Sequence, residues 1–444
     1  MVSERKKSFG ILIVLLCFFL GMFAAYGVGV YNDSEQYIAM HIHREPLYPL
    51  FLAFFRMISK EGGELVLTAI VQNVLTAFSI FFLIEYLQKK FSLNRIEEMV
   101  LLLLELMPHL VTRYVSVLGI FVENSVMSEA LCFPLFQFFI LFTLRIIFED
   151  DKKDMILSLL FAWLLSMTRG QMMTTILVWM AASGFRFISR RQYKKLLIQV
   201  LAVICAFGIR SLSVHTYNYF VTGYFMGNTY GPVNTLTNVI YACDREDGEV
   251  FEEESLEKKF FDQFFEEADA QGLNYRYAGE SIEERTAYLE EAHDTLKFEV
   301  LEADMSAYFF GLGKVDYYQQ SSMSDEMAGK MLRKLLPACF GQWFYDYLLL
   351  CRYGFIRSIA VAHKWINLAA LVIYLTAAGL MFVVFRKDKR NPAVYMMGFA
   401  LLFIVANVCA TSLTIMCLSR YMIYGFSLFY MALFLLVVEW RRVL

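Results

Sequence analysis

Two carboxylates, two imidazoles and a guanidinium fall within a dozen residues in Asp33, Glu35, His41, His43 and Arg44, directly after the first long apolar stretch of the chain. The run reads Tyr31-Asn32-Asp33-Ser34-Glu35-Gln36-Tyr37, then His41-Ile42-His43-Arg44-Glu45-Pro46-Leu47-Tyr48-Pro49. A carboxylate ionised near pH 7 can take the proton from an attacking sugar or lipid hydroxyl, general-base chemistry worth about 10²–10⁴-fold in rate. Asp33 is the first choice for that base, with Glu35 beside it. The same residues also suit the N-cap and first turn of a short interfacial helix. Arg44 can hold a phosphate through paired hydrogen bonds, and an imidazolium at His41 or His43 can add a positive contact. Alternatively, Arg44 anchors the chain to lipid phosphate. A divalent metal on Asp33, His41 and His43 is a further reading, disfavoured because His-x-His stands here without a downstream ligand.

Later in the chain, Ser128-Glu129, Thr168-Arg169-Gly170-Gln171 and Arg420-Tyr421 each stand at the end of an apolar run. Arg169 and Arg420 suit an anionic phosphate or an interfacial anchor, and Ser128 suits a helix cap. Glu105, His109 and Arg113 recur every four residues, which places them on one helix face. Intramembrane charges are costly and face a cavity or a partner. Arg113 therefore lies near the outer surface, and Glu105 with His109 or an arginine reads as a helix-holding pair. The deepest polar residues otherwise are Gln72-Asn73 and Asn407.

What must position these groups is a membrane bundle. The chain is 58% hydrophobic with 42 Phe, against roughly 45–50% apolar content in soluble domains. A bilayer core about 30 Å thick needs about 20 apolar helical residues per span. Ten runs near that length are candidate spans, the fifth to seventh of them short: 9–30, 64–87, 96–116, 129–148, 155–168, 171–187, 196–211, 363–385, 393–416 and 421–438. Basic residues gather in alternate loops: Arg5, Lys6 and Lys7; Lys89, Lys90 and Arg95; Arg145, Lys152 and Lys153; Arg186, Arg190, Arg191, Lys194 and Lys195; Arg386, Lys387, Lys389 and Arg390; Arg441 and Arg442. The positive-inside rule assigns these loops and both termini to the cytoplasm. The 31–63 loop, Ser128-Glu129, Arg169, the 211–362 region and Arg420 then face outward. Basic residues before the first span and Ala24-Ala25 near its end also fit a signal peptide.

The expected organisation is a transmembrane module over 1–210, an acidic extracytoplasmic domain over 211–362, and a second transmembrane module over 363–444. Residues 244–304 hold 21 Asp or Glu against 6 Lys or Arg, so this segment carries far more negative charge than the chain's net −3. Phe260, Phe261, Phe264 and Phe265 are spaced for the buried face of an amphipathic helix. The stretch 331–357, with Trp343, Tyr345, Tyr347 and Tyr353 beside Arg333, Lys334 and Arg352, reads as an interfacial helix. The 8 cysteines show no metal or redox spacing; Cys243 and Cys339 either pair or stay free. The fold class is all-α and polytopic.

At these residues the chain resembles the GT-C superfamily of membrane glycosyltransferases, which includes protein mannosyltransferases and aminoarabinose transferases. The resemblance rests on Asp33-x-x-x-Tyr37, Arg44-x-Pro46-x-Tyr48-Pro49 leading into Leu50-Phe51-Leu52-Ala53, Ser128-Glu129-Ala130-Leu131, Thr168-Arg169 and Arg420-Tyr421. It covers roughly 9–210 and 363–440. It implies a polyprenyl-phosphate sugar donor, an acceptor hydroxyl on a lipid, glycan or protein, Asp33 as base, and inversion at the anomeric carbon. The developing phosphate charge would fall to Arg44, Arg169 and Arg420, with His41, His43, Arg113 and Tyr421 as further donor contacts. Ser34 separates Asp33 from Glu35 where many members carry adjacent acids, so a divalent metal is not favoured; the partners expected are the donor, the acceptor and membrane lipids, with no nucleic acid. A lipid-sugar flippase would place its polar groups at mid-membrane; a glycan polymerase or ligase would use the same outer chemistry, and an inactive assembly subunit would keep the fold without it.

Overall fold

The computed structural model describes residues 2–443 apart from 32, 60, 61, 115–118, 120, 150, 190 and 361–363, with the side chains of 2–8, 189, 364 and 443 also left aside. Asn32, Ser116, Arg190 and His363 therefore lie outside the described residues, as do the side chains of Arg5, Lys6 and Lys7. Among the described residues every regular element is helical, apart from a single parallel bridge between Gly29 and Ser125. The chain divides into two units. The first comprises Met1–Val214, Ile356–Asn407 and Ser419–Leu444, and the second His215–Phe355 and Val408–Leu418.

In chain order the helices begin with α1 (Val2–Tyr26), the short α2 (Ser34–Ile38), α3 (Leu47–Ile58), α4 (Glu64–Lys90) and α5 (Arg95–Tyr114). Next come α6 (Ser128–Glu149), α7 (Lys152–Thr168), α8 (Thr174–Ser189) and α9 (Tyr193–Thr222). Helix α6 is apolar all round, as a fully surrounded helix must be. It packs on α4 and α7, and nearly every side chain from Ser128 to Ile146 is buried or nearly so. Phe136 meets Phe403 at 4.5 Å between ring centroids and Phe133 meets Tyr424 at 4.9 Å. This places α6 at the centre of the first unit.

The second unit contains α10 (Gly231–Ala242), α11 (Leu256–Ala270), α12 (Ile282–Thr295), α13 (Glu302–Gly311), α14 (Tyr317–Ala338) and most of α15 (Phe340–Arg357). All four phenylalanines of α11 are buried together with Leu236, Leu289, Val300 and Met331. The stretch expected to be one interfacial helix is instead two. Pro337 lacks an N–H to continue the ladder, α14 closes at Cys339, and α15 begins at the next residue. Met331, Leu335, Trp343 and Leu350 turn into the core, so this face packs against protein. Cys243 and Cys339 are buried there as neighbouring thiols. A Cβ on Gly248 would stand 2.2 Å from Phe261 Cε1. Gly248→Ala should therefore destabilise this unit by about 1–3 kcal/mol through overpacking, read as a lowered melting temperature of the full-length protein in detergent.

The chain returns to the first unit in α16 (Lys364–Lys387) and in α17 (Pro392–Thr414) as far as Asn407, and again in the one-turn α18 (Ser419–Met422) and α19 (Tyr424–Val443). Among the described residues seven helices are long and apolar enough to cross a bilayer: α1, α4, α6, α9, α16, α17 and α19. The protein is thus all-α and built for a membrane. The three remaining expected spans coincide with α5, α7 and α8. Helix α5 carries Glu97, Glu98, Glu105 and Arg113, while α7 and α8 have 17 and 16 residues. Helix α9 extends to Thr222, past the expected end at 211, so the proposed domain border falls inside a helix.

Candidate functional site

The 31–49 loop folds as α2, a turn through residues 39–46, and α3. Ser34 Oγ accepts from Tyr31 N at 2.8 Å and so closes the entry to α2. The Asp33 side chain makes no capping hydrogen bond. It is turned to two guanidinium groups instead. Arg44 Nη2 lies 2.8 Å from Asp33 Oδ1 and Arg420 Nη1 lies 3.0 Å from Asp33 Oδ2. These side chains keep 27%, 22% and 25% of their surface for Asp33, Arg44 and Arg420, enough for a ligand to reach them. Burial opposes ionisation of Asp33, and the charges of Arg44 and Arg420 outweigh it, holding the carboxyl below the usual carboxylate range.

Hydrogen bonds carry the cluster inward. Arg44 Nε donates to Gln36 Oε1 at 2.9 Å, and its guanidinium stands 4.7 Å over the Tyr37 ring. Tyr37 is buried, with its hydroxyl 2.8 Å from Ser128 Oγ. Arg169 Nη1 donates to Ser128 Oγ at 3.1 Å and pairs with Glu129 Oε2 at 2.5 Å. Tyr421 lies between the two remaining cations, its ring 5.2 Å from Arg169 and 5.0 Å from Arg420, and its hydroxyl accepts from Arg420 Nη2 at 3.0 Å. Asn407 and Gln171 both donate to the Tyr421 carbonyl and so fix α18. A cavity of about 20 Å³ among Thr112, Ser125, Glu129 and Arg420 has room for one water-sized group.

The scaffold beneath is equally specific. Gln72 donates to the carbonyls of Glu123 and Ser125, and Asn73 to that of Glu123 and to Asn124 Oδ1. Tyr48 donates to Gln72 Oε1 at 2.9 Å. In an apolar layer every backbone polar group needs a partner. Gln72 and Asn73 supply partners for the carbonyls of segment 122–126, a single 3₁₀ turn (Val122–Asn124) and the residues that follow it, and that occupation explains them without a transport path.

Several expected groupings differ. The anticipated Glu105–His109 contact does not form: His109 Nδ1 meets Glu123 Oε1 at 2.6 Å, both side chains wholly buried, while Glu105 takes Gln137 from α6. Arg113 stays outside the cluster, donating to the Gly119 carbonyl at 3.2 Å with its guanidinium 4.6 Å over the Tyr26 ring. Glu35 is exposed in the first turn of α2, and both cations turn to Asp33 instead. The His41 and His43 rings lie 4.4 Å apart, tilted 40° to one another. Burial and then the Arg44 charge push the His41 pKa down, so this ring favours its neutral form over the imidazolium expected at a phosphate. Among the described residues no three His, Cys, Asp or Glu side chains gather as a metal-ligand set.

Sequence reasoning passed over Arg210 of α9, which pairs with Glu45 and donates to the Ser166 carbonyl at 3.3 Å. A lone cation inside an apolar run was the signal available. It also left Glu129 out of the site. Arg169→Ala would strand the Glu129 carboxylate, whose side chain is only 6% exposed. A loss of about 3–5 kcal/mol is expected for removing one partner of such a buried pair, measured by thermal unfolding in detergent.

No protein-family model matches this chain, and neither the curated proteins nor the solved structures contain a match to it.

Proposed function

We infer that the protein is an inverting glycosyltransferase that moves a sugar from a polyprenyl-phosphate donor to an acceptor hydroxyl at the extracytoplasmic face of the membrane. The observation that carries this reading is the Asp33 carboxylate held between Arg44 and Arg420. Beside it stand Arg169 and Glu129, so three guanidinium groups face two carboxylates. The one-charge excess of cation complements the single negative charge of a sugar phosphodiester. The motif resemblance to the GT-C superfamily points the same way.

In this reading the donor phosphate competes with Asp33 for the guanidinium groups of Arg44 and Arg420. Their transfer to phosphate frees the carboxylate beside the acceptor hydroxyl. Asp33 takes the hydroxyl proton as that oxygen attacks the anomeric carbon, and the bond from the anomeric carbon to the phosphate oxygen breaks on the opposite face. Fixed cations aimed at the leaving phosphate supply electrostatic stabilisation, often the largest catalytic contribution. Arg169 and Tyr421 hold the far side of this pocket through Ser128 and Arg420. The topology belongs to the same proposal: α5, α7 and α8 also cross the membrane, giving ten spans, both termini are cytoplasmic, and the acidic unit lies outside.

The test is incubation of purified protein with two panels of labelled donors, polyprenyl-monophosphate sugars and polyprenyl-diphosphate sugars. Consumption of one donor with release of polyprenyl phosphate is the expected result. Release of diphosphate would instead assign a polymerase or ligase, and transport of intact lipid-linked sugar without cleavage would assign a flippase.

A further inference from the structure

A cavity of about 1200 Å³ lies among α4, α6, α8, α16 and α17. It is remote from the Asp33 cluster: Glu129 and Phe148 stand at opposite ends of α6, roughly 28 Å apart at 1.5 Å per residue. Its wall includes Ala182, Ala378, Met381, Gly398 and Leu402, and its cations are Lys90, Arg186 and Arg390. Among the described residues no carboxylate lines it.

Protein interiors pack densely, with few voids larger than a water molecule. This volume also exceeds the roughly 300–1,000 Å³ of small-molecule pockets. Helix α16 is the least enclosed of the elements around it, with 17% of its apolar window buried, and it rests on α19 through Tyr374 and Phe429. In a bilayer such a gap beside a loosely packed span takes up lipid chains. The charges then select the headgroup. Lys90 ends α4 and Arg390 lies in the turn before α17, so both stand where apolar helix gives way to polar sequence. Basic pockets between transmembrane helices recognise anionic headgroups by this arrangement.

We propose that this cavity binds an anionic two-chain phospholipid, its acyl chains lying between α16 and the α8 and α17 walls and its phosphate held by Lys90 and Arg390. The lipid completes the seat of α16 that side chains leave open. A polyprenyl donor engaged at Asp33 cannot place its phosphate here, so the site is separate from the transfer chemistry.

The test uses the full-length protein in detergent, titrated with phosphatidylglycerol or phosphatidylcholine, with native mass spectrometry and thermal unfolding as readouts. Phosphatidylglycerol should be retained and should raise the melting temperature, whereas phosphatidylcholine should do neither. Lys90→Gln with Arg390→Gln should weaken phosphatidylglycerol binding about 30-fold, two headgroup cations being removed. Gly398→Leu is the second variant. A Cβ at Gly398 meets nothing within 4 Å, so leucine there fills the cavity and should exclude the lipid with all charges in place. Equal retention of both lipids would overturn the proposal, as would unchanged binding in either variant. Neither variant touches the Asp33 cluster, so failure here leaves the transferase reading standing.

Discussion

Asp33→Asn is expected to leave the protein folded while slowing sugar transfer by about 10²-fold or more. Asparagine preserves the size and planarity of the side chain but cannot accept a proton from the acceptor. Arg44 and Arg420 lose their countercharge, yet both keep over a fifth of their surface exposed, so water limits that cost. The same loss frees two guanidinium groups for the donor phosphate. The variant should therefore show a lower kcat together with a lower donor KM. A merely structural role for Asp33 would reduce folded yield and leave the turnover of the folded fraction intact. Initial rates on purified protein, normalised to the folded fraction, separate the two cases, and turnover at the wild-type level would remove Asp33 from the mechanism.

Arg420→Gln is expected to cost about 10²–10³-fold in kcat, the loss typical when one fixed donor to a developing anion is removed. Its pH behaviour supplies a second readout. Burial resists ionisation of Asp33 and the two arginines overcome it. A base works only when ionised, so activity is lost as pH falls through its folded pKa. In the wild type that acid limb of kcat/KM lies below the usual carboxylate range. With Arg420 gone, one of the two lowering charges disappears while burial remains, and the limb should move to higher pH. The linked stability follows the same sign: the ion pairs contribute above the unfolded carboxylate pKa, and the contribution is lost as pH falls through the depressed folded value. A limb that stays in place would show that Arg420 does not act on Asp33.

Much of this arrangement was legible because its residues announce themselves by position. Asp33, Arg44, Arg169 and Arg420 each sit at the end of an apolar run, and helices crossing one slab must bring such ends to one of two levels. The phenylalanine spacing of α11 likewise fixed its buried face. Pairing between helices was not legible. Glu105 and His109 share a face, but their partners Gln137 and Glu123 come from elsewhere, and nothing in four-residue spacing indicates which helix lies opposite. Arg210 escaped notice because its partner Glu45 is 165 positions away. The break between α14 and α15 was legible at Pro337, but the aromatic and basic residues on either side of it read as one interfacial face. The cavity of the first unit was invisible for a different reason: it is defined by the side chains that fail to fill it.

The ion pair between Asp33 and Arg420 joins positions 387 apart in the chain. At ribosomal rates of about 5–20 residues per second, the carboxylate waits roughly 20–80 s for its second cation. During that interval the membrane helices that precede α18 can enter the bilayer, but the nascent chain holds an incomplete anion cradle. Closure of the ion-pair cluster around Asp33 is therefore tied to synthesis of the chain as far as Arg420, so a chain cut short before α18 would fold with Asp33 held by Arg44 alone.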